Sequence, residues 1–279
     1  MLPLQKPGRS ATSVFELCIE KIRSPGLKAL LQDLIATIDQ HSNLYDAAGI
    51  SSSFHKIPQS TAVGNVSHAD LLGVYARMAR AKSSGRIVYD EILASAPNGK
   101  CPLCAHRDAG TLDHYLPKGH YSLLVVTPHN LVPACHECNH KKLEAVPHIA
   151  DECILHPYYD NISTFRWLYA ELRETTPPAV KFSINPPGHW HANLNARVAL
   201  HFSLLKLASL YSSQAAEELC NIRSNLILIG QSHGENAVRD FLLAMATSCQ
   251  MYNLNGWKGA TYEAFANSAW FCAGGYALT

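Results

Sequence analysis

The chain has 279 residues, 47% apolar and 16% charged, which allows a sizeable core and excludes a disordered polymer. A formal net charge of +1 excludes the bulk field of a strongly basic nucleic-acid binder, so contact with phosphates must come from a local site or a partner. No apolar run approaches the ~20 residues of a bilayer span, which excludes a membrane partner of that kind. The opening MLPLQKPGRSATS lacks the apolar core of a signal peptide, and the nine cysteines then point to a reducing compartment, where paired thiols bind metal more often than they form disulfides. The expected location is cytoplasmic.

In chain order, residues 12–48 read as helical. Phe15, Leu17, Cys18 and Ile22 fall near helical spacing, Ser24-Pro25-Gly26 breaks the run, and Leu27 to Ile38 resumes it. The polar stretch from Ser51 to Asn65 predicts a loop. Ser67 predicts a cap for a helix from Ala69 to Lys82, with Asp70 in its first turn. A short helix from Val88 to Ala94 leads to the turn Pro97-Asn98-Gly99.

Cys101, Cys104, Cys135 and Cys138 then form two C-x2-C pairs separated by thirty residues. Each pair can aim two thiolates at one ion, and four thiolates complete a tetrahedral structural zinc site. Cys18, Cys153, Cys220, Cys249 and Cys272 stand alone and read as buried packing residues. The loop between the pairs is longer than a zinc ribbon needs. Within it, Thr111 to Tyr115 predicts a strand with adjacent Asp113 and His114, His129 to Pro133 a second strand, and Cys135 to Ala145 a helix. Asn139 and Lys142, three apart, share a helix face. Two strands and a helix pinned by zinc would converge Asp113, His114, Asn130 and Asn139 on one cleft.

Those residue types suit metal-assisted phosphodiester cleavage. Asp113 offers a hard anionic oxygen and Asn139 an amide oxygen, a set suited to Mg²⁺ or Mn²⁺ that leaves the remaining coordination to water and phosphate. His114 fits a general base on the attacking water. Lys142, His140 and Lys118 are the candidate phosphate contacts. His106, His120 and His129 read as loop residues, and His156 in LHPYYD as a packing residue.

The motifs DHYLPK (113–118), HNL (129–131) and CHECNHKK (135–142) resemble the HNH endonucleases, with their ββα-metal fold, in the zinc-stapled branch. The resemblance spans about 45 residues. It implies that Asp113 and Asn139 ligate a catalytic Mg²⁺ or Mn²⁺, that His114 is the general base, and that Asn130 braces the loop holding the histidine. The last signature position is Asn139 rather than histidine, a variant familiar in the family.

Downstream, Ala179 to Ile184 predicts a strand, Pro186-Pro187-Gly188 a break, and Leu194 to about Cys220 a helix, with another starting near Glu235. Trp167, Tyr169 and NSAWFCAGGY read as core or interface. The expectation is an α+β chain, mainly helical, with a helical region at 1–95, the zinc-stapled module at 96–165 and a second helical region at 166–279. Two functions follow. One is a metal-dependent endonuclease, cutting DNA in preference to RNA, possible as an effector of bacterial anti-phage defence. The other is a zinc-stapled scaffold that cuts nothing. Segment 101–148 holds four Lys/Arg and four Asp/Glu, so the nuclease is expected to need a protein partner such as an ATPase, or homo-oligomerisation, to hold substrate.

Overall fold

The computed structural model describes residues 1–142 and 144–278, and the chain divides into two compact units, Met1–Asn161 and Ile162–Thr279. The class is α+β, with two small antiparallel sheets among helices. No described helix is long and apolar enough to cross a membrane.

The first unit opens with α1 (Ala11–Ile19), α2 (Pro25–Gln32) and α3 (Ile35–Ile50). Ser10 and Ser24 accept hydrogen bonds from Ser13 N and Leu27 N, capping α1 and α2. After a turn-rich stretch, α4 (His68–Ala79) begins with a reciprocal capping box between Ser67 and Asp70, and α5 (Arg86–Ala94) follows. Strands β1 (Thr111–His114) and β2 (Leu131–Ala134) pair antiparallel, with Asp113 opposite Val132 and His114 opposite Leu131. Helix α6 (His136–Lys142) leaves β2 immediately. The second strand starts later than the sequence predicts because Pro128 to Asn130 form a tight 3-10 turn. One core joins helices and strands: Phe15, Leu31, Ile38, Leu71, Met78 and Ile92 cluster with Leu112, Val125 and Leu131. The module therefore borrows its hydrophobic support from the helices before it.

The second unit holds a hairpin of β3 (Leu168–Arg173) and β4 (Ala179–Ile184), then α7 (Ala192–Leu204), α8 (Leu207–Tyr252), α9 (Trp257–Ala266) and α10 (Ala269–Cys272). Lys206, in the left-handed region at φ 52°, separates α7 from α8 where the sequence predicts one continuous helix. Gly234 interrupts α8 at φ 79°, ψ −178°. A Cβ on Gly230 would lie 3.6 Å from Val238 Cγ2. Eight residues along a straight helix span about 12 Å, so α8 folds back on itself at Gly234. The helix predicted to start near Glu235 is its returning arm. Of the isolated cysteines, Cys18, Cys153 and Cys272 are buried, Cys249 is half-buried, and Cys220 is exposed rather than packed.

Gly234 sits in a region of backbone space essentially reserved for glycine. Gly234→Ala is expected to destabilise the second unit by about 1–3 kcal/mol, read as a lower urea midpoint at unchanged slope; an unchanged midpoint would show that the reversal does not depend on that residue.

Candidate functional site

Cys101 and Cys104 lie on the turn before β1, Cys135 follows β2, and Cys138 is in the first turns of α6. All four are buried, and their sulfurs lie within 4.8 Å of one another. A tetrahedral zinc–thiolate site, with bonds of about 2.3 Å, sets its sulfurs about 3.8 Å apart. The cluster fits that geometry and the donor set fits zinc. The Arg107 N–H donates to Cys104 Sγ and the Cys138 N–H to Cys135 Sγ, each at 3.4 Å, which favours thiolate over thiol. Among the described residues this is the one group of three or more Cys, His, Asp or Glu side chains close enough to share an ion.

Beside the cluster, a cavity of about 480 Å³ is lined by Asp113, His114, Lys118, Asn139 and His140, together with Tyr75, Tyr89 and Glu144. The structure thus brings together three of the four residues that the sequence predicts at one cleft. The fourth, Asn130, is fully buried behind it. Its Oδ1 accepts from the Leu116 N–H at 2.7 Å, and its Nδ2 donates to the carbonyls of Leu116 at 3.1 Å and Leu124 at 3.3 Å. Asn130 holds the loop after His114 by both of its edges.

His114 is 6% exposed, with its ring edge-on to Tyr75 at 4.4 Å. Its Nε2 lies 2.9 Å from the Val125 carbonyl. A carbonyl only accepts, so Nε2 carries the proton and Nδ1 is the basic nitrogen of the neutral ring. Burial pushes the imidazole pKa down to about 3; the Val125 carbonyl opposes that shift, and Lys118 and Lys142 add to it. The ring is therefore uncharged at neutral pH. Asp113 is 5% exposed, and burial raises its pKa although Lys142 pulls the other way.

Lys142 departs from expectation. Its ammonium is buried, donating to Asp113 Oδ1 at 3.2 Å and to the His114 carbonyl at 2.6 Å. It follows Cys138 by four residues on α6 and so turns inward with it. It holds β1 to α6 and is not placed to meet a phosphate in solvent. Of the other proposed phosphate contacts, His140 is exposed at the cavity, and Lys118 is half-exposed, 5.0 Å over the Tyr75 ring. His129 is not a free loop residue: it is half-buried, 3.3 Å from Asp46 Oδ1. His156, as predicted, is a packing residue, fully buried and stacked on Phe54 with its Nε2 3.0 Å from Tyr45 Oη. Sequence reasoning missed the Val125 carbonyl, Tyr75, Tyr89 and Glu144. Backbone acceptors leave no residue signature, and the two tyrosines come from helices distant in sequence.

Cys135→Ser is expected to lose zinc, measured by metal analysis after dialysis, and to lower the melting temperature; full retention of zinc would remove the four-sulfur assignment. Asn130→Ala is expected to cost about 1–3 kcal/mol for the unpaired Leu116 N–H, with zinc content unchanged, in chemical denaturation.

No protein-family profile matches the chain, and no solved structure matches it. Protein Ea31 of Escherichia phage lambda is 31% identical over 235 residues, with 78% of each chain covered. Identity at that level over most of both chains means that this chain belongs to the family of phage lambda protein Ea31.

Proposed function

We propose that the chain is a metal-dependent endonuclease of the HNH type that hydrolyses nucleic-acid phosphodiester bonds, DNA ahead of RNA. The observation that carries this reading is His114: a neutral imidazole locked through Nε2 on the Val125 carbonyl, with Nδ1 left as the base at the wall of a cavity it shares with Asp113 and Asn139. A scaffold has no use for a base oriented in this way beside a hard oxygen donor. The strand–strand–helix order, the cysteine frame and the Asn130 brace support the same reading.

Asp113 and Asn139 would hold the Mg²⁺ or Mn²⁺. One carboxylate and one amide suit a hard ion that keeps several waters. Bound there, the ion would neutralise charge on the phosphate and on the leaving 3′ oxygen. Lys142 engages one oxygen of Asp113, which fixes the carboxylate's orientation and opposes the upward pKa shift that burial imposes. His114 Nδ1 takes the proton of the attacking water, giving 5′-phosphate and 3′-hydroxyl ends. A neutral imidazole is the form that accepts a proton, and burial makes His114 a weaker base than a free imidazole. The expectation of a role in bacterial anti-phage defence gains no support from a relative that is itself a phage protein, and the proposal is confined to cleavage.

The test is plasmid nicking with Mg²⁺, Mn²⁺ or EDTA. Wild type is expected to nick with metal alone, and His114→Ala to lose at least ~10²-fold in rate, the scale of a general base, while retaining zinc and fold. Wild-type rates in His114→Ala would sink the base assignment. Zinc-loaded wild type that nicks no DNA or RNA would leave the scaffold.

A further inference from the structure

A second cavity, of about 640 Å³, lies between α1, the α1–α2 turn and the turn after α4. Lys21, Arg23, Arg77, Arg80 and Lys82 line it, and no acidic residue does. Lys21, Arg23, Arg80 and Lys82 are exposed, and none of the five forms an ion pair with a described residue. Arg77 spends one donor on the Gly73 carbonyl, at 3.3 Å. The acidic neighbour is Glu20, whose carboxylate accepts from Ser84 Oγ at 2.8 Å at the rim. Several basic side chains elsewhere in this unit are paired, as in Lys6–Asp46, Arg9–Glu91, Arg86–Asp90 and Lys100–Asp108. Five cations left together without acidic partners are a site for a polyanion.

Helix α4 connects this cavity to the candidate active site. Tyr75 and Ala79 line the cavity of Asp113 and His114, whereas Arg77 and Arg80 line the basic one. The five steps from Tyr75 to Arg80 rise about 7–8 Å along the helix. A nucleic-acid strand covers that distance in two or three nucleotide steps of ~3.4 Å. Tyr89, on the active-site side, stands beneath Arg86, whose guanidinium also donates to the Ala79 carbonyl and fixes the end of α4 between the two cavities.

We propose that the basic cavity of α1, α4 and the turn at 80–85 grips the phosphodiester backbone of the nucleic acid, passing the strand around the C-terminal end of α4 into the Asp113–His114 cavity. This rests on the nuclease reading for the second half of that path; the grip itself does not. It also meets the need for which a partner protein was expected, because the chain has its own phosphate-binding surface outside segment 101–148.

The experiment is fluorescence anisotropy with full-length zinc-loaded protein in magnesium-free buffer. The probes are a fluorescein-labelled 20-nucleotide single strand and a 20-base-pair duplex, across a salt series. Arg80→Glu and Lys21→Glu replace exposed, unpaired side chains and should leave the fold intact, checked by circular dichroism. Lys56→Glu, exposed and lining neither cavity, carries the same change in net charge. Expected are at least about fivefold weaker binding for each cavity variant and a salt slope shallower by about one, as for one lost phosphate contact, with Lys56→Glu within about twofold of wild type. Equal weakening by all three variants, no weakening by the cavity pair, or no binding of either probe by wild type would each overturn the grip. Full displacement of both probes by millimolar inorganic phosphate at constant ionic strength would make this a small-anion site and overturn the grip as well. Binding that depends on Arg80 and Lys21 in a protein that never cleaves would leave the grip standing and sink the nuclease alone.

Discussion

The closure of four sulfurs on one point is the constraint from which the rest of the first unit follows. Strands β1 and β2 have four residues each, and a two-stranded hairpin of that size is marginal by itself. Cys101 and Cys104 fix the chain just before β1, while Cys135 and Cys138 fix it between β2 and α6. Structural zinc contributes on the order of 10 kcal/mol to folding such segments. With both ends fixed, the long excursion between the strands is tied across by Asn130 at its end, whose three hydrogen bonds reach Leu116 and Leu124. The helical core beneath, through Leu112, Val125 and Leu131, supplies the apolar support that the module lacks.

Within that frame the polar residues are arranged at an energetic cost that the frame sustains. Burying His114 disfavours its charged form, and burying Asp113 disfavours its anion. Lys142 answers the second problem, and its bond to the His114 carbonyl ties the same ammonium to both members of the pair. Breaking a buried ion pair by removing one partner typically costs 3–5 kcal/mol, roughly, so Lys142 is a structural determinant of the carboxylate's state. The result is a neutral imidazole beside a carboxyl group whose burial and ion pair act in opposite directions, held in fixed register by the fold.

What could be read in the sequence was whatever short-range chemistry decides. The cysteine pairs, the Ser67 and Asp70 cap and the adjacent Asp113 and His114 were legible because each depends on residues a few positions apart. The return of α8 at Gly234 was half-legible, as a helix starting near Glu235, but not as a reversal; only the approach of Val238 to Gly230 shows that. The direction of Lys142 was hidden. Spacing put it on a face with Asn139, but which side of that face was interior depended on Cys138 pointing at the metal site. Strand β3 was missed because its burial does not alternate cleanly, unlike that of β4, where Val180 and Phe182 point in and their neighbours out. His129 read as a loop residue because its partner, Asp46, lies on α3, far away in sequence.

Net charge was the least informative number, and the structure shows why. A sum of +1 combines paired surface ions with a set of unpaired cations gathered at one place. Exposed charges more than about 8–10 Å apart are screened from one another at ordinary salt. A phosphate entering the cavity of Lys21, Arg77 and Arg80 therefore meets those side chains and Glu20 at the rim, and almost nothing of the distant acids that balance the total. Lys142 is buried, so its influence is not screened in this way and reaches the His114 ring as well as the Asp113 carboxylate; the basic cavity and the Asp113–His114 cavity are lined by separate residues on opposite sides of one helix, α4.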